Sequence, residues 1–399
     1  MHDLPRDAFV GATFAVRVDF NTPLVRGRIA DATRIERCVP TIRHLTTAGA
    51  KVVLLSHLGR PEGRARAGLS LEPAAGCLEG MLERPVRFCS HAEGLQVSEF
   101  LRAMEPGSVL LLENTRFLAG ETANDPRLAA DWAIWADHYV LDAFGTAHRA
   151  HASTDGLPRA VRTRGGAAVA GFLVARELEV IDGALEKPRR PFVAVVGGAK
   201  ISDKIDVIEA LLPRVDALLV GGAMANTFFR AMGMETGASL VEPAKCGVAA
   251  RLLEVAGPRM VLPVDCTVAR ALQDGAETRA VARSEVAPGE LIGDIGPVTI
   301  RLFGRRIKEA ATVIWNGPLG VFEIAGFAEG TLGVARAAAA AADEGATVIV
   351  GGGDSAAAAH EAGVATRVTH ISTGGGAALE LLAGKKLPGV EALSNRCSA

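Results

Sequence analysis

The chain has 399 residues, of which 49% are hydrophobic, and a formal net charge of −2. That length is too great for one ordinary core and suits two domains, while the near-neutral charge excludes a general attraction to nucleic acid or an anionic membrane surface, so any basic site must be local. Six dispersed cysteines with no C-x-x-C pair or zinc spacing read as reduced, buried thiols of a cytoplasmic protein, and neither an apolar signal-peptide core nor a membrane-length apolar run is evident.

Along the chain, short β-branched or leucine runs alternate with alanine-rich helical stretches, the pattern of parallel sheets covered by helices. The first half predicts strands at Thr13–Asp19, Lys51–Ser56, Val109–Glu113 and His138–Asp142. Each leads into groups suited to an anion: Asp19 and Asn21, then His57 and Arg60, then Arg116, then His148, Arg149 and His151. Arg34 opens a predicted helix. Ligands of an open parallel sheet sit beyond the carboxyl ends of its strands, so the four loops are expected to converge on one crevice. Arginine binds carboxylate or phosphate bidentately, and Asp19 with Asn21 can accept from a substrate hydroxyl, so the chemistry is that of a small polyanion site. For any single arginine a solvated surface ion pair is the plainer reading; four loops repeating the theme weigh against it.

Gly171–Gly183 reads as a helix, followed by the proline-bracketed stretch Lys187–Pro191 and a new strand, which predicts a connecting helix and hinge; a surface loop within one domain is the alternative. Strands are then predicted at Phe192–Val196, Ala217–Val220, Thr312–Trp315, Thr347–Val350 and Thr369–Ser372. Four of them run into glycine turns: Gly197-Gly198-Ala199-Lys200, Gly221-Gly222, Gly351-Gly352-Gly353-Asp354-Ser355 and Gly374-Gly375-Gly376. Such turns let backbone N–H groups approach phosphate, and a following helix adds partial positive charge. Lys200 and Lys204, four apart, are read as stacked on one face of a helix with the buried stripe Ile201, Ile205, Ile208 and Leu212, a solvated helix face being the alternative. The turn Trp315–Glu323 offers Asn316 and Glu323 to the sugar or base of a nucleotide. Asp354 inside a phosphate turn calls for a divalent cation between acid and anion, hence Mg²⁺. Gly351, Gly353 and Ala356 also satisfy the dinucleotide pattern G-x-G-x-x-G/A. The acid expected about 20 residues later in that fold is replaced by Thr369-His370-Ile371-Ser372, which weighs against a nicotinamide enzyme.

The ordered segments Arg17-Val18-Asp19-Phe20-Asn21, Ser56-His57-Leu58-Gly59-Arg60-Pro61, Glu113-Asn114-Thr115-Arg116-Phe117, Asp142 through His151, Gly197-Gly198-Ala199-Lys200, Trp315-Asn316-Gly317-Pro318 and Gly351 through Ser355 resemble the phosphoglycerate kinase family over nearly the whole chain. The resemblance implies an α/β protein of two doubly wound parallel-sheet (Rossmann-like) domains facing a cleft and joined by a hinge helix. Residues 1–170 would bind phosphoglycerate, 171–186 form the connecting helix, 187–387 bind Mg-nucleotide, and a tail, 388–399, pack back on the first domain. It implies phosphoglycerate contacts at Asp19, Asn21, Arg34, His57, Arg60, Arg116 and Arg149, and nucleotide contacts at Gly198, Lys200, Lys204, Gly222, Asn316, Glu323, Gly351, Gly352, Gly353, Asp354 and Ser355. Asp354 would hold the metal, and Arg34 and Lys200 would be catalytic, on the transferring phosphoryl group. The implied reaction is reversible, direct in-line transfer between 1,3-bisphosphoglycerate and ADP, giving 3-phosphoglycerate and ATP, with domain closure and no covalent enzyme intermediate. Mg²⁺, small-molecule substrates, and a cytoplasmic monomer without nucleic-acid or membrane partners complete the expectation. Thr22, Leu141 and Val298 depart from the family pattern, and the segment 287–297 reads as shortened where it would border an adenine pocket. A dehydrogenase and a non-catalytic nucleotide-binding protein are the competing classes.

Overall fold

A computed structural model describes residues 4, 5 and 8–394, and the chain divides into two units, one running to Leu178 and resuming at Lys386, the other spanning Glu179–Lys385. The helix Phe172–Glu186 contains the division between Leu178 and Glu179.

The first unit has strands β1 (Thr13–Val18), β2 (Leu24–Val25), β3 (Arg28–Ile29), β4 (Lys51–Leu55), β5 (Val86–Cys89), β6 (Val109–Leu112), β7 (His138–Asp142) and β8 (Ala168–Ala170). Six form a wholly parallel sheet in the order β5-β6-β4-β1-β7-β8, and β2 and β3 make a small hairpin. The central strands are buried at alternate and intervening positions alike, because helices cover both faces, and this is why their sequences are continuous apolar runs. Helix Thr33–Thr47 buries Ile35, Cys38, Ile42 and Leu45, one stripe at helical spacing, in the same core as Val16, Val52 and Leu54. The chain reverses direction across the sheet at β1, whose neighbours are β4 and β7, so the loops after these strands surround a switch point. The returning C-terminal segment is bonded here, with Gly389 N–H donating to Ala147 O at 2.8 Å and Ser394 N–H to Ala168 O at 2.6 Å. Residues 395–399 of the expected tail lie outside the described residues, as do 1–3, 6 and 7 of the first domain.

The second unit has β9 (Phe192–Val196), β10 (Ala217–Val220), β11 (Met260–Val261), β12 (Asp265–Ala269), β13 (Arg279–Ala282), β14 (Leu291–Ile295), β15 (Thr312–Asn316), β16 (Thr347–Gly351) and β17 (His370–Ile371). Its parallel sheet runs β11-β10-β9-β15-β16-β17, with Val193, Val195, Leu219, Val313, Trp315, Val348 and Val350 in one core with Phe303 and Ile307 of helix Pro297–Lys308. A separate antiparallel sheet, β13-β12-β14, was not foreseen from sequence. Its strands are short, β13 is mostly exposed, and β12 mixes acid, thiol and hydroxyl with apolar residues, so no continuous apolar run marks them. The strands β5, β8 and β11 are likewise unmarked: β5 is interrupted by an arginine that is exposed in its middle, and β8 and β11 are only three and two residues long.

The expected single helix carrying both lysines is also corrected. Lys200 is extended (φ −124°, ψ 133°) before a 3₁₀ turn, Ile201–Asp203, and Lys204 sits outside helical geometry before the α-helix Ile205–Leu211. The buried positions are Ile201, Val207, Ile208, Leu211 and Leu212, with Ile205 only half-buried. The i, i+4 stacking argument therefore does not apply to the two lysines. Among the described residues no helix is long and apolar enough to cross a membrane.

Helix Pro297–Lys308 takes its cap from a distant strand: Asp265 Oδ2 accepts from Val298 N–H at 2.9 Å, while Oδ1 accepts from Thr299 N–H at 2.8 Å and Thr299 Oγ1 at 2.6 Å. Replacing Asp265 with alanine leaves the Thr299 donors orphaned in a buried place and the Val298 N–H uncapped, and should cost about 1–3 kcal/mol. The urea midpoint of the variant should fall at unchanged slope; an unaltered midpoint would show that the cap contributes nothing.

Candidate active site

In the first unit the carboxyl ends of β1, β4, β6 and β7 bring the predicted residues to one place. Asp19 follows β1, and its Oδ2 accepts from Arg34 Nη1 at 2.7 Å, so the first turn of helix Thr33–Thr47 is pinned to the strand end. Asn21 spends its side-chain oxygen on Gly59 N–H (2.9 Å), and Arg116 Nη1 donates to Gly59 O at 2.7 Å, so the loops after β1, β4 and β6 hold one another. Arg149 Nε lies 3.2 Å from His148 Nε2. Arg60 is exposed, three residues beyond His57. In the loop after β6, Glu113 accepts from Ser70 Oγ and Leu71 N–H, and Asn114 donates to Leu58 O and Leu69 O; both brace the turn, leaving Arg116 to face the site.

The charge balance is lopsided. His57 is buried, and its pKa is held well below the ordinary histidine range by desolvation first and then by Arg17, Arg116, Arg149 and Arg34. The pKa of Arg116 falls to about 10, through burial and then the repulsion of Arg17 and Arg149. The His151 pKa drops to about 4 for the same reasons, burial ahead of Arg116, Arg17 and Arg149. Arg116 is only 5% exposed, yet its Nε and Nη2 have no hydrogen-bond partner. A buried guanidinium with two orphan donor nitrogens, amid like charges, has the chemistry suited to a multiply charged anion.

Sequence reading passed over the group beneath this site. Arg17, 0% exposed, donates from Nε to Ser153 Oγ at 2.8 Å, from Nη1 to Val18 O and to Leu55 O, and from Nη2 to His57 Nδ1 at 3.1 Å. A guanidinium can only donate, so Nδ1 of His57 is the acceptor and the ring is neutral with its proton on Nε2. Ser153 passes the network to Glu121, also fully buried, through Oγ–H at 2.6 Å and N–H at 2.9 Å. The signal was legible: Arg17 is a charge inside an apolar run of a strand buried on both faces, which demands internal partners. Glu121 carried no comparable mark.

In the second unit the turns after β9, β10 and β15 are in backbone contact. Gly222 has φ +72°, and a Cβ there would lie 2.6 Å from Gly198 O and 2.7 Å from Gly198 N; a Cβ on Gly197 would lie 2.1 Å from Pro318 O. Gly198, Gly222, Glu323 and Asp354 line one cavity of about 360 Å³, whose apolar side is made by Phe229, Leu240, Leu291, Ile292 and Ile295. The segment read as shortened thus supplies part of that wall. Lys204 Nζ donates to Asn316 Oδ1, and Asn316 Nδ2 to Gly351 O at 2.8 Å, which ties the lysine to the third glycine turn. Burial lowers the Lys204 pKa against the raising influence of Asp203 and Asp354. Gly353 and Asp354 begin helix Gly353–Glu361 and are exposed, whereas Ser355 is buried with its Oγ accepting from Gly317 N–H at 2.6 Å. The Ser355 hydroxyl therefore braces the turn. Lys200 is exposed.

The family model described as phosphoglycerate kinase matches residues 4–385. Similar proteins include the phosphoglycerate kinase of Rubrobacter xylanophilus, 52% identical over 386 residues, which is 97% of this chain and 96% of that protein. The one from Chloroflexus aggregans is 51% identical over 393 residues, 97% of each. Among solved structures, phosphoglycerate kinase from Coxiella burnetii superposes with a TM-score of 0.88 at 40% identity, covering 98% of this chain and 97% of that one. The Pyrococcus horikoshii enzyme gives 0.83 at 32% identity, covering 98% of each.

Arg116→Met removes a repelled buried charge together with the bond to Gly59 O, so the melting temperature of the unliganded protein should change little. The stabilisation that millimolar inorganic phosphate gives the parent protein should disappear. A destabilised variant that still responds to phosphate would contradict the assignment.

Proposed function

The chain belongs to the phosphoglycerate kinase family, and from that premise we propose how its residues divide the work of an ATP:3-phosphoglycerate 1-phosphotransferase, a kinase of glycolysis. The dinucleotide alternative falls with the family assignment. The observation that carries the reading is the pair of orphan donors on buried Arg116 within the Arg17, Arg34, Arg149 and His57 cluster. Phosphoglycerate, with a phosphate at one end and a carboxylate or acyl phosphate at the other, has the charge this cluster lacks. Asp19, Asn21, Arg34, His57, Arg60, Arg116 and Arg149 are assigned to it. The cavity beside Gly198, Gly222, Glu323 and Asp354 is assigned to the nucleotide, with Lys200, Lys204, Asn316, Gly351, Gly352, Gly353 and the backbone of Ser355.

The nucleophile is a terminal phosphate oxygen of ADP in one direction and the carboxylate of 3-phosphoglycerate in the other. Both are anions at neutral pH, so no general base is needed and transfer proceeds directly, in line, without a covalent enzyme intermediate. Histidines held neutral by burial and then by the surrounding arginines suit hydrogen bonding to substrate rather than proton transfer. Arg34 and Lys200 take the developing charge on the transferring group. Lys204 exchanges Asn316 for a nucleotide phosphate oxygen, its partial desolvation lowering the cost of that exchange. Asp354 is one exposed carboxylate at a glycine turn, and the described residues include no group of three or more His, Cys, Asp or Glu placed to hold a metal ion. That donor set fits Mg²⁺, which is commonly held by one carboxylate together with phosphates and water; when bound it neutralises nucleotide phosphate charge. The five described cysteines are unpaired, in keeping with a reducing compartment, and we place the enzyme in the cytoplasm as a monomer.

A coupled assay with 3-phosphoglycerate, ATP and Mg²⁺ tests the activity. Arg34→Ala should lower kcat by at least about 10³-fold, as for arginines on a phosphoryl-transfer transition state; near-normal turnover would remove Arg34 from the reaction. Because the two sets of residues belong to different units, transfer requires the units to close on their substrates and exclude water. Small-angle scattering with both substrates should show a smaller radius of gyration than with neither, and an unchanged radius would count against closure.

A further inference from the structure

Lys200 owes its placement to a turn rather than to a helix, and that turn is capped from elsewhere in the chain. The 3₁₀ segment Ile201–Asp203 has no cap from Lys200, the residue before it. Its leading backbone is met by Glu242, whose Oε2 accepts from Ser202 N–H at 3.1 Å. Glu242 is itself fixed. Its N–H donates to Thr227 Oγ1 at 3.1 Å, and Asn226 Nδ2 donates to Leu240 O at 3.1 Å, so the segment 240–242 is fastened to helix Met224–Ala231. That helix starts directly after Gly221-Gly222, the turn in backbone contact with Gly198. A closed mechanical circuit results: the glycine turn after β10 sets the helix, the helix sets Glu242, and Glu242 sets the residues that follow Lys200.

We propose that Glu242 is a positioning residue for Lys200, holding the Ile201–Ser202 backbone so that Lys200 stays extended with its ammonium group toward the transferring phosphoryl group. The proposal rests on the assignment of Lys200 to that group. A lysine is a flexible point charge, so its contribution depends on where its backbone is anchored, and small misplacements in a transfer site are costly. Desolvation works against the anionic form of Glu242, but the Ser202–Ile201 turn it caps and the nearby charge of Lys200 outweigh it, so its pKa lies below the ordinary glutamate range.

A double-mutant cycle separates positioning from mere folding. Glu242→Ala should lower kcat roughly 10–10²-fold, the scale of a misplacement of about 1 Å, with little change in the KM for 3-phosphoglycerate or in the melting temperature. Glu242→Gln, which keeps an acceptor of the same reach but not the charge, should recover part of the loss. In a Lys200→Ala background either substitution at Glu242 should produce no further fall in kcat. An equal fall in both backgrounds, or an unaltered kcat in the single variants, would overturn the proposal; should Glu242→Ala fail to fold, Glu242→Gln carries the same cycle. Normal turnover in Lys200→Ala alone would overturn the role of Lys200 itself, and the coupled assay would distinguish that result by showing the parent activity intact.

Discussion

Positive charge without enough negative charge to neutralise it governs the first unit. Arg17, Arg34, Arg116 and Arg149 act together on His57, while the carboxylates within reach are Asp19, which holds Arg34, and Glu121, which is reached through Ser153. The two most buried arginines solve this problem in opposite ways. Arg17 is satisfied on every side by carbonyls, a hydroxyl and an imidazole, so it forms a rigid foundation. Arg116 is left with two donor nitrogens unmet, which costs stability in a buried place. The doubly covered parallel sheet makes this arrangement tolerable, because the strand ends and the helix behind Arg34 fix each group in place.

The second unit builds its proposed nucleotide site with little fixed charge. Its turns approach so closely that glycine is obligatory where Gly222 passes Gly198, and glycine turns rather than arginines line the cavity. Asn316 joins Lys204 to the turn at Gly351, and Ser355 joins that turn to Gly317, so polar residues that read as ligand contacts also set the spacing of the glycine turns. A site of this kind suits a substrate that brings its own cation, since one exposed carboxylate, Asp354, adds little repulsion.

Much of this was legible in the residues. Continuous apolar runs announced the strands, and polar groups immediately after them announced the loops, because a parallel sheet buries the first and exposes the second at its carboxyl edge. The antiparallel sheet was not legible: strands such as Arg279–Ala282 owe their conformation to pairing with Asp265–Ala269 rather than to any run of their own. The lysine pair misled for a related reason. Spacing of four suggests a shared helix face, but Glu242, some forty residues away in sequence, satisfies the backbone at Ile201–Ser202 and permits a short 3₁₀ turn instead.

By itself, then, the sequence determined the class of fold, the family and the chemistry of each loop, since these depend on local composition and order. Tertiary structure alone decided which polar residues are spent on bracing the protein and which keep unmet donors. Asn21, Glu113, Asn114 and Ser355 turned inward to satisfy backbone groups, whereas Arg116 gives only Nη1 to a backbone carbonyl and keeps Nε and Nη2 unpartnered. That division is set by distance between segments far apart in the chain, where hydrogen-bond donors and acceptors must be matched in place, and no local pattern encodes it.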